Sequence, residues 1–113
     1  MSAKPPVVFV TQEQSRINYS QAEDYGDIVF LSLHDIPTVH TSLRASSAMK
    51  EISSKLKGYR PGIDYLLPSG SPLNIACAML MAAHKNADTH NILKWEARAQ
   101  KYVLAVLGGF VGL

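Results

Sequence analysis

The sequence has a single cysteine, Cys77. No disulfide can form within the chain, and a metal site built on paired thiolates has no second ligand. A lone thiol also fits a reducing compartment, where disulfide frameworks are rare. Long apolar runs are lacking as well. The longest, Ile75 to Ala83, falls far short of the roughly 20 residues that a membrane helix needs. Val7–Val10 is too short to be the apolar core of a signal peptide. The chain is therefore expected to be soluble and cytoplasmic. Charge of one sign is scarce: the formal net charge is +2 at pH 7, too small by itself to imply a polyanion partner. Dense chemical motifs are missing too. His34, His40, His84 and His90 match no ligand spacing, and neither Ser69 nor Ser71 sits in a Gly-x-Ser-x-Gly elbow. No metal, cofactor or catalytic residue is expected.

What remains is an ordinary globular composition, 47% hydrophobic and 18% charged over 113 residues. A chain of this length buries roughly two-thirds of its unfolded surface, enough for one domain with one core. Residues 1–107 are read as that domain, and the Gly-Gly-Phe-Val-Gly-Leu tail, 108–113, as a flexible apolar extension.

Two β-branched and aromatic runs, Val7–Val10 and Ile28–Leu31, are apolar on both faces and predict buried strands. Residues 11–26 between them are polar and aperiodic, a loop with room for one short helical turn. Ala45, Met49, Ile52 and Leu56 recur at helical spacing and predict a helix with one buried face. Thr41 or Ser42 can cap it, Lys55 and Lys57 suit its last turn, Gly58 offers a left-handed terminator and Pro61 prevents resumption. Asp64–Leu67 predicts a short third strand. Ser71 as N-cap and Pro72 at the first helical position open a second helix reaching His84 or Lys85. That helix is apolar nearly all round and is expected to be buried on more than one side. Alternating strands and helices imply right-handed crossovers and a largely parallel sheet. Residues 91–107 stay open on local grounds. Trp95, Ala99, Tyr102 and Val106 would share a helical face, whereas Ile92–Glu96 and Tyr102–Leu107 would make a hairpin turning through 97–101.

Several short motifs together resemble a group of small α/β proteins of tailed bacteriophages. They are Val7–Val10 followed by Gln12 and Glu13, Tyr25-Gly26, and Tyr65-Leu66-Leu67 with Gly70 and Pro72. Leu93-Lys94-Trp95-Glu96 and the trailing Tyr102 complete the pattern. The chain departs from it at Ser71, where an acid is expected, and in its apolar tail, where an acidic end is expected. The resemblance implies the hairpin, and with it an α/β domain of order β-β-α-β-α-β-β whose mainly parallel sheet ends in that hairpin. It brings no activity with it.

Three features could bind something. The turn Ser69-Gly70-Ser71 presents helix amides beside a glycine, which suits an anion. In open parallel sheets ligands sit beyond the carboxyl ends of the strands, where the first strand would add Gln12, Glu13, Gln14 and Arg16. The same residues also describe a well-capped turn, and Pro72 removes one amide. The basic stretch Arg44, Lys50, Lys55, Lys57 and Arg60 could follow an acidic surface or phosphates, with only Tyr59 to stack, but such helix faces are usually just solvated. The apolar second helix and tail, through Met79, Met81 and Phe110, could mediate self-association. The favoured expectation is a non-enzymatic phage accessory protein that binds a macromolecular partner and self-associates in the host cytoplasm, without membrane contact. The alternative is a small-molecule or anion-binding protein, or an enzyme, using the crevice at the carboxyl ends of strands 1 and 3.

Overall fold

The computed structural model describes residues 4–37, 43–85 and 89–110. Val7–Val10 forms strand β1, which is paired in parallel on both edges, to β2 (Asp27–Phe30) and to β3 (Tyr65–Leu67). Such double pairing explains why the run is apolar on both faces. Strand β4 (Thr89–Glu96) continues the parallel array beside β3, and β5 (Lys101–Gly108) closes it antiparallel to β4. The sheet order is β2-β1-β3-β4-β5. Helix α1 (Leu43–Leu56) links β2 to β3, and α2 (Pro72–Ala83) links β3 to β4. The order β-β-α-β-α-β-β and the C-terminal hairpin are thus as the resemblance implied. The short helical turn in the first loop is a 3-10 turn at Ser20–Asp24.

The two faces of the sheet are covered unequally. Ile52 and Leu56 of α1 and Ala78 and Ala82 of α2 pack with Phe9, Leu66 and Ile92 on one face. On the other, Val8, Val10, Leu67, Leu93 and Tyr102 meet only Tyr19, Ala22 and Tyr25 from the loop that carries the 3-10 turn. The connection from β1 to β2 moves one way across the sheet, and those through α1 and α2 move the other way. Opposite direction combined with opposite face gives all the crossovers one hand, as parallel connections require.

Several local expectations are corrected. Met49, placed on the buried face of α1, is 44% exposed; the face that meets the core runs along Ala48, Ile52 and Leu56, each four residues from the next, and Met49 lies to one side of that row. Gly58 does not take the left-handed conformation, which falls to Gly62 (φ 80°) after Pro61. Helix α2 is not buried all round. Asn74, Ala78 and Ala82 are its buried residues, while Leu80 is 70% exposed. The capping role of Thr41 or Ser42, His40, and the tail beyond Phe110 lie outside the described residues, as do the side chains of Arg44 and Ala45. The N-cap of α2 is as expected, Ser71 Oγ accepting from Leu73 N at 3.3 Å.

At the amino ends of the strands the chain is clamped by a charge. The Asp64 carboxylate, fully buried, accepts from Val7 N (2.9 Å), from Arg60 N (2.8 Å) and from Arg60 Nη2 (2.8 Å). The guanidinium also reaches the carbonyls of Lys4 and Pro5. Burial alone would raise the Asp64 pKa, but the Arg60 side chain, the two backbone N–H donors and the guanidinium charge outweigh it and hold the carboxyl below its ordinary value. Next to this clamp, Tyr59 stacks on His90 and meets Phe9 edge-on. Its hydroxyl bonds His90 Nδ1 at 2.5 Å. Burial first, and the Asp64 charge second, push the phenol up to about 12. Gly26 serves a close approach, because a Cβ there would strike the carbonyl of Pro6, the acceptor for Asp27 N.

Asp64→Ala is expected to destabilise the protein by about 3 kcal/mol, since it leaves two N–H groups in the interior, those of Val7 and Arg60, without their acceptor. Because the folded carboxyl titrates lower than the unfolded one, its stabilisation is present above about pH 4 and fades as pH falls through the lower folded value. Thermal melts across the acid range should therefore show a flatter limb for Asp64→Asn than for the wild type. On the alkaline side, the absorbance of Tyr59 phenolate should emerge only near pH 12. Stability should decline between the ordinary phenol value of about 10 and that point.

Candidate functional site

In a doubly wound sheet the crevice opens where the strand order reverses, beyond the carboxyl ends. Here the reversal lies between β1 and β3. Their carboxyl ends carry Thr11 and Gln12 on one side and Ser69, Gly70 and Ser71 on the other. Sequence reasoning placed Gln12 with Ser69-Gly70-Ser71, and the structure brings these residues together. The Gln12 side chain, 2% exposed, lies across the start of α2, and its Oε1 accepts from Ser71 N at 2.7 Å. Its Nε2 donates to Asp35 Oδ1 at 2.7 Å. Gly70 has φ 93°, and a Cβ there would collide with the Gln12 side chain. Its missing side chain therefore makes room for Gln12.

Around this contact runs a buried polar network. Thr11 Oγ1 donates to Ser69 O (2.6 Å) and accepts from Ser69 N (2.8 Å). Ser69 Oγ shares a hydrogen bond of 2.7 Å with Tyr19 OH, which also accepts from Gln14 N. Ser32 Oγ donates to Thr11 O. Asn74 Nδ2 donates to Ser32 Oγ and to His34 O, while its Oδ1 accepts from Ile36 N. Among the described residues no buried side-chain nitrogen or oxygen lacks a partner. Gln14 joins through its backbone; Arg16 is exposed on the loop and outside the network among the described residues.

Thr11, Tyr19, Ser32 and Asn74 were not singled out from the sequence. Only Asn74 left a signal, as a polar residue inside an apolar helix. Chemically the network pins three loops to one another. Two of its serine hydroxyls meet another side chain, Ser69 that of Tyr19 and Ser32 that of Asn74; among the described residues neither bonds an imidazole or a carboxylate that could act as base.

Residues 6–107 match the family model described as Phage Pam3 gp32-like protein. The chain belongs to this family. The match runs from just before β1 to the next-to-last residue of β5, so it takes in nearly the whole sheet. None of the curated proteins compared matches the sequence.

Elsewhere the surface of this phage protein offers less convergent chemistry. A cleft of ≈ 590 Å³ beside the crevice is bordered by His34, Asp35, Ser47 and Glu51. A larger groove of ≈ 740 Å³ lies between the 3-10 turn and β2, lined in part by Tyr19, with Glu23 and Asp27 on its rim. Among the described residues no three His, Cys, Asp or Glu side chains converge as metal ligands would, and no helix is long and apolar enough to cross a membrane. The basic stretch is partly spent: Lys55 bonds Glu51 and the carbonyl of Phe30, and Arg60 is committed to Asp64. Met79 and Met81 lean on the core, half-buried, whereas Phe110 is exposed.

The apolar surface that stands out is on the hairpin. Tyr102, Leu104 and Val106 alternate onto the face opposite the helices, and Trp95 lies across from Tyr102 with ring centroids 4.9 Å apart. Tyr102 is covered by the first loop, but Trp95, Leu104 and Val106 are 39%, 47% and 56% exposed.

Gln12→Ala is expected to lower stability by about 1–3 kcal/mol in urea denaturation, the cost of leaving the Ser71 amide and the Asp35 carboxylate without their partner. Gly70→Val should cost at least as much, because it adds a side chain at positive φ on top of Gln12. A Gly70→Val protein as stable as the wild type would show that the turn does not depend on this fit.

Proposed function

We propose that this phage protein is a non-enzymatic accessory protein that binds a protein partner in the host cytoplasm and self-associates. The observation that carries the reading is the uncovered apolar strip Trp95, Leu104 and Val106 on a rigid hairpin. Exposed aromatic and aliphatic side chains grouped on one face mark protein contact surfaces, and tryptophan is the residue most often found at their energetic centre. A protein fits this strip better than a nucleic acid, since Lys55 and Arg60 are engaged within the fold. The second reading, a small ligand or anion in the crevice, requires that ligand to displace Gln12 from the Ser71 amide.

The test is affinity capture from phage-infected cells with wild-type and Trp95→Lys protein, identified by mass spectrometry. Trp95 is the chain's sole tryptophan, so its fluorescence reports the folding of the wild type and circular dichroism that of the variant. Partners retained by the wild type should fall by about tenfold or more with Trp95→Lys, as expected for an aromatic anchor. An unchanged set and yield of captured proteins from a folded variant would remove the reading.

A further inference from the structure

We infer that the occupant of the outer edge of β5 is β5 of a second copy of this chain, paired antiparallel so that two five-stranded sheets become one. This rests on the hairpin surface of the preceding section and names the partner at its edge. Strand β5 is the last in the sheet order, and among the described residues nothing pairs with its outer side. Soluble proteins protect such edges with charges, proline, bulges or brevity. The opposite edge, β2, is four residues long and begins with Asp27. Strand β5 has only Lys101, at its first position, to protect it: it is eight residues long, regular in register against β4 throughout, without proline, and apolar apart from Lys101 and Tyr102.

Its sequence is also self-complementary. Directly opposed residues in an antiparallel pair share a face, so a twofold axis falls on a residue, Leu104 or Ala105. With the axis on Leu104, Tyr102 faces Val106 and Lys101 faces Leu107. With the axis on Ala105, Leu104 faces Val106 and Val103 faces Leu107. In neither case does Lys101, the one charge in the strand, meet its own copy. Cross-strand pairs between apolar and β-branched side chains are the stabilising kind. The Trp95–Leu104–Val106 strips of the two copies would then run together as one apolar face.

The experiment uses the full chain, with light scattering from low to high micromolar concentration and amide hydrogen exchange by NMR at both ends of that range. A mass twice that of the chain is expected at the upper end, together with protection of every second β5 amide, the set that points away from β4. Leu104→Lys, at a side chain already half-exposed, should return the protein to a monomer with its other exchange rates unchanged, because it sets two ammonium groups near the axis. The wild-type exchange pattern decides the matter even if that variant does not fold. A strict monomer, an open-ended series of larger species, a dimer whose outer β5 amides stay unprotected, or protection that needs an added protein in place of concentration would each overturn the self-pairing. Trp95→Lys lies off the edge and should remain dimeric. A monomeric chain whose Trp95→Lys variant still loses its captured partner would sink self-association and leave the partner reading standing, whereas a dimer that captures the same proteins with or without Trp95 would sink only the partner reading.

Discussion

A parallel strand pair can be connected comfortably with only one hand, and this constraint shapes the rest of the molecule. The step from β1 to β2 goes one way across the sheet, and every later parallel step goes back the other way. With a single hand, α1 and α2 must both lie on one face, leaving the opposite face to whatever joins β1 to β2. That joining segment holds only a 3-10 turn and its flanks. It is long enough to bury Val8, Val10, Leu67 and Leu93, but it does not reach across the far end of β4 and β5. The exposed hairpin face is thus the remainder of a covering problem that short connections cannot solve.

The same reversal creates the crevice between β1 and β3. A strand end that turns away from its neighbour leaves backbone groups with no ladder partner, and buried ones must be satisfied somehow. In many sheets of this type a bound ligand does part of that work. In this chain Thr11, Gln12, Ser32, Ser69 and Asn74 do it among themselves, with Gln12 lying where a ligand group would approach the helix amides. The opposite end of the sheet is treated differently, with one buried carboxylate collecting the amide of β1 and the guanidinium of Arg60. Each end is held by hydrogen bonds between segments far apart in sequence, Thr11 with Ser69 at one and Val7 with Asp64 at the other.

Membership of a phage family over residues 6–107 agrees with this distribution of features. The matched region holds all five strands but for the last residue of β5, with the polar crevice, the Asp64 clamp and the hairpin with its apolar strip. The domain uses many of its polar side chains for internal pinning and leaves apolar ones exposed on the hairpin face.

Much of the fold was legible in the sequence. Apolar runs bounded by Pro, Gly and Asp mark β1, β2 and β3; Ser71-Pro72 marks the start of α2; and the alternation of strands and helices implies a parallel sheet. These are local signals, set by period, capping and backbone restriction within a few residues. The C-terminal hairpin was not decidable locally, because Glu96–Gln100 has helical propensity; only pairing of β4 with β3 and β5 resolves it in favour of strands. The meeting of Gln12 with Ser69-Gly70-Ser71 followed from the parallel order, but that Gln12 itself fills the space above Gly70 did not. Nor did the commitment of Arg60 to Asp64, whose separation of four residues was the lone hint among a run of basic residues that otherwise look solvated. Which apolar residues stay exposed, Leu80 and Leu104 as against Ala78 and Leu93, was likewise beyond the sequence. Burial depends on where neighbouring elements end, and that is a property of the packed sheet and its covers, not of any one segment.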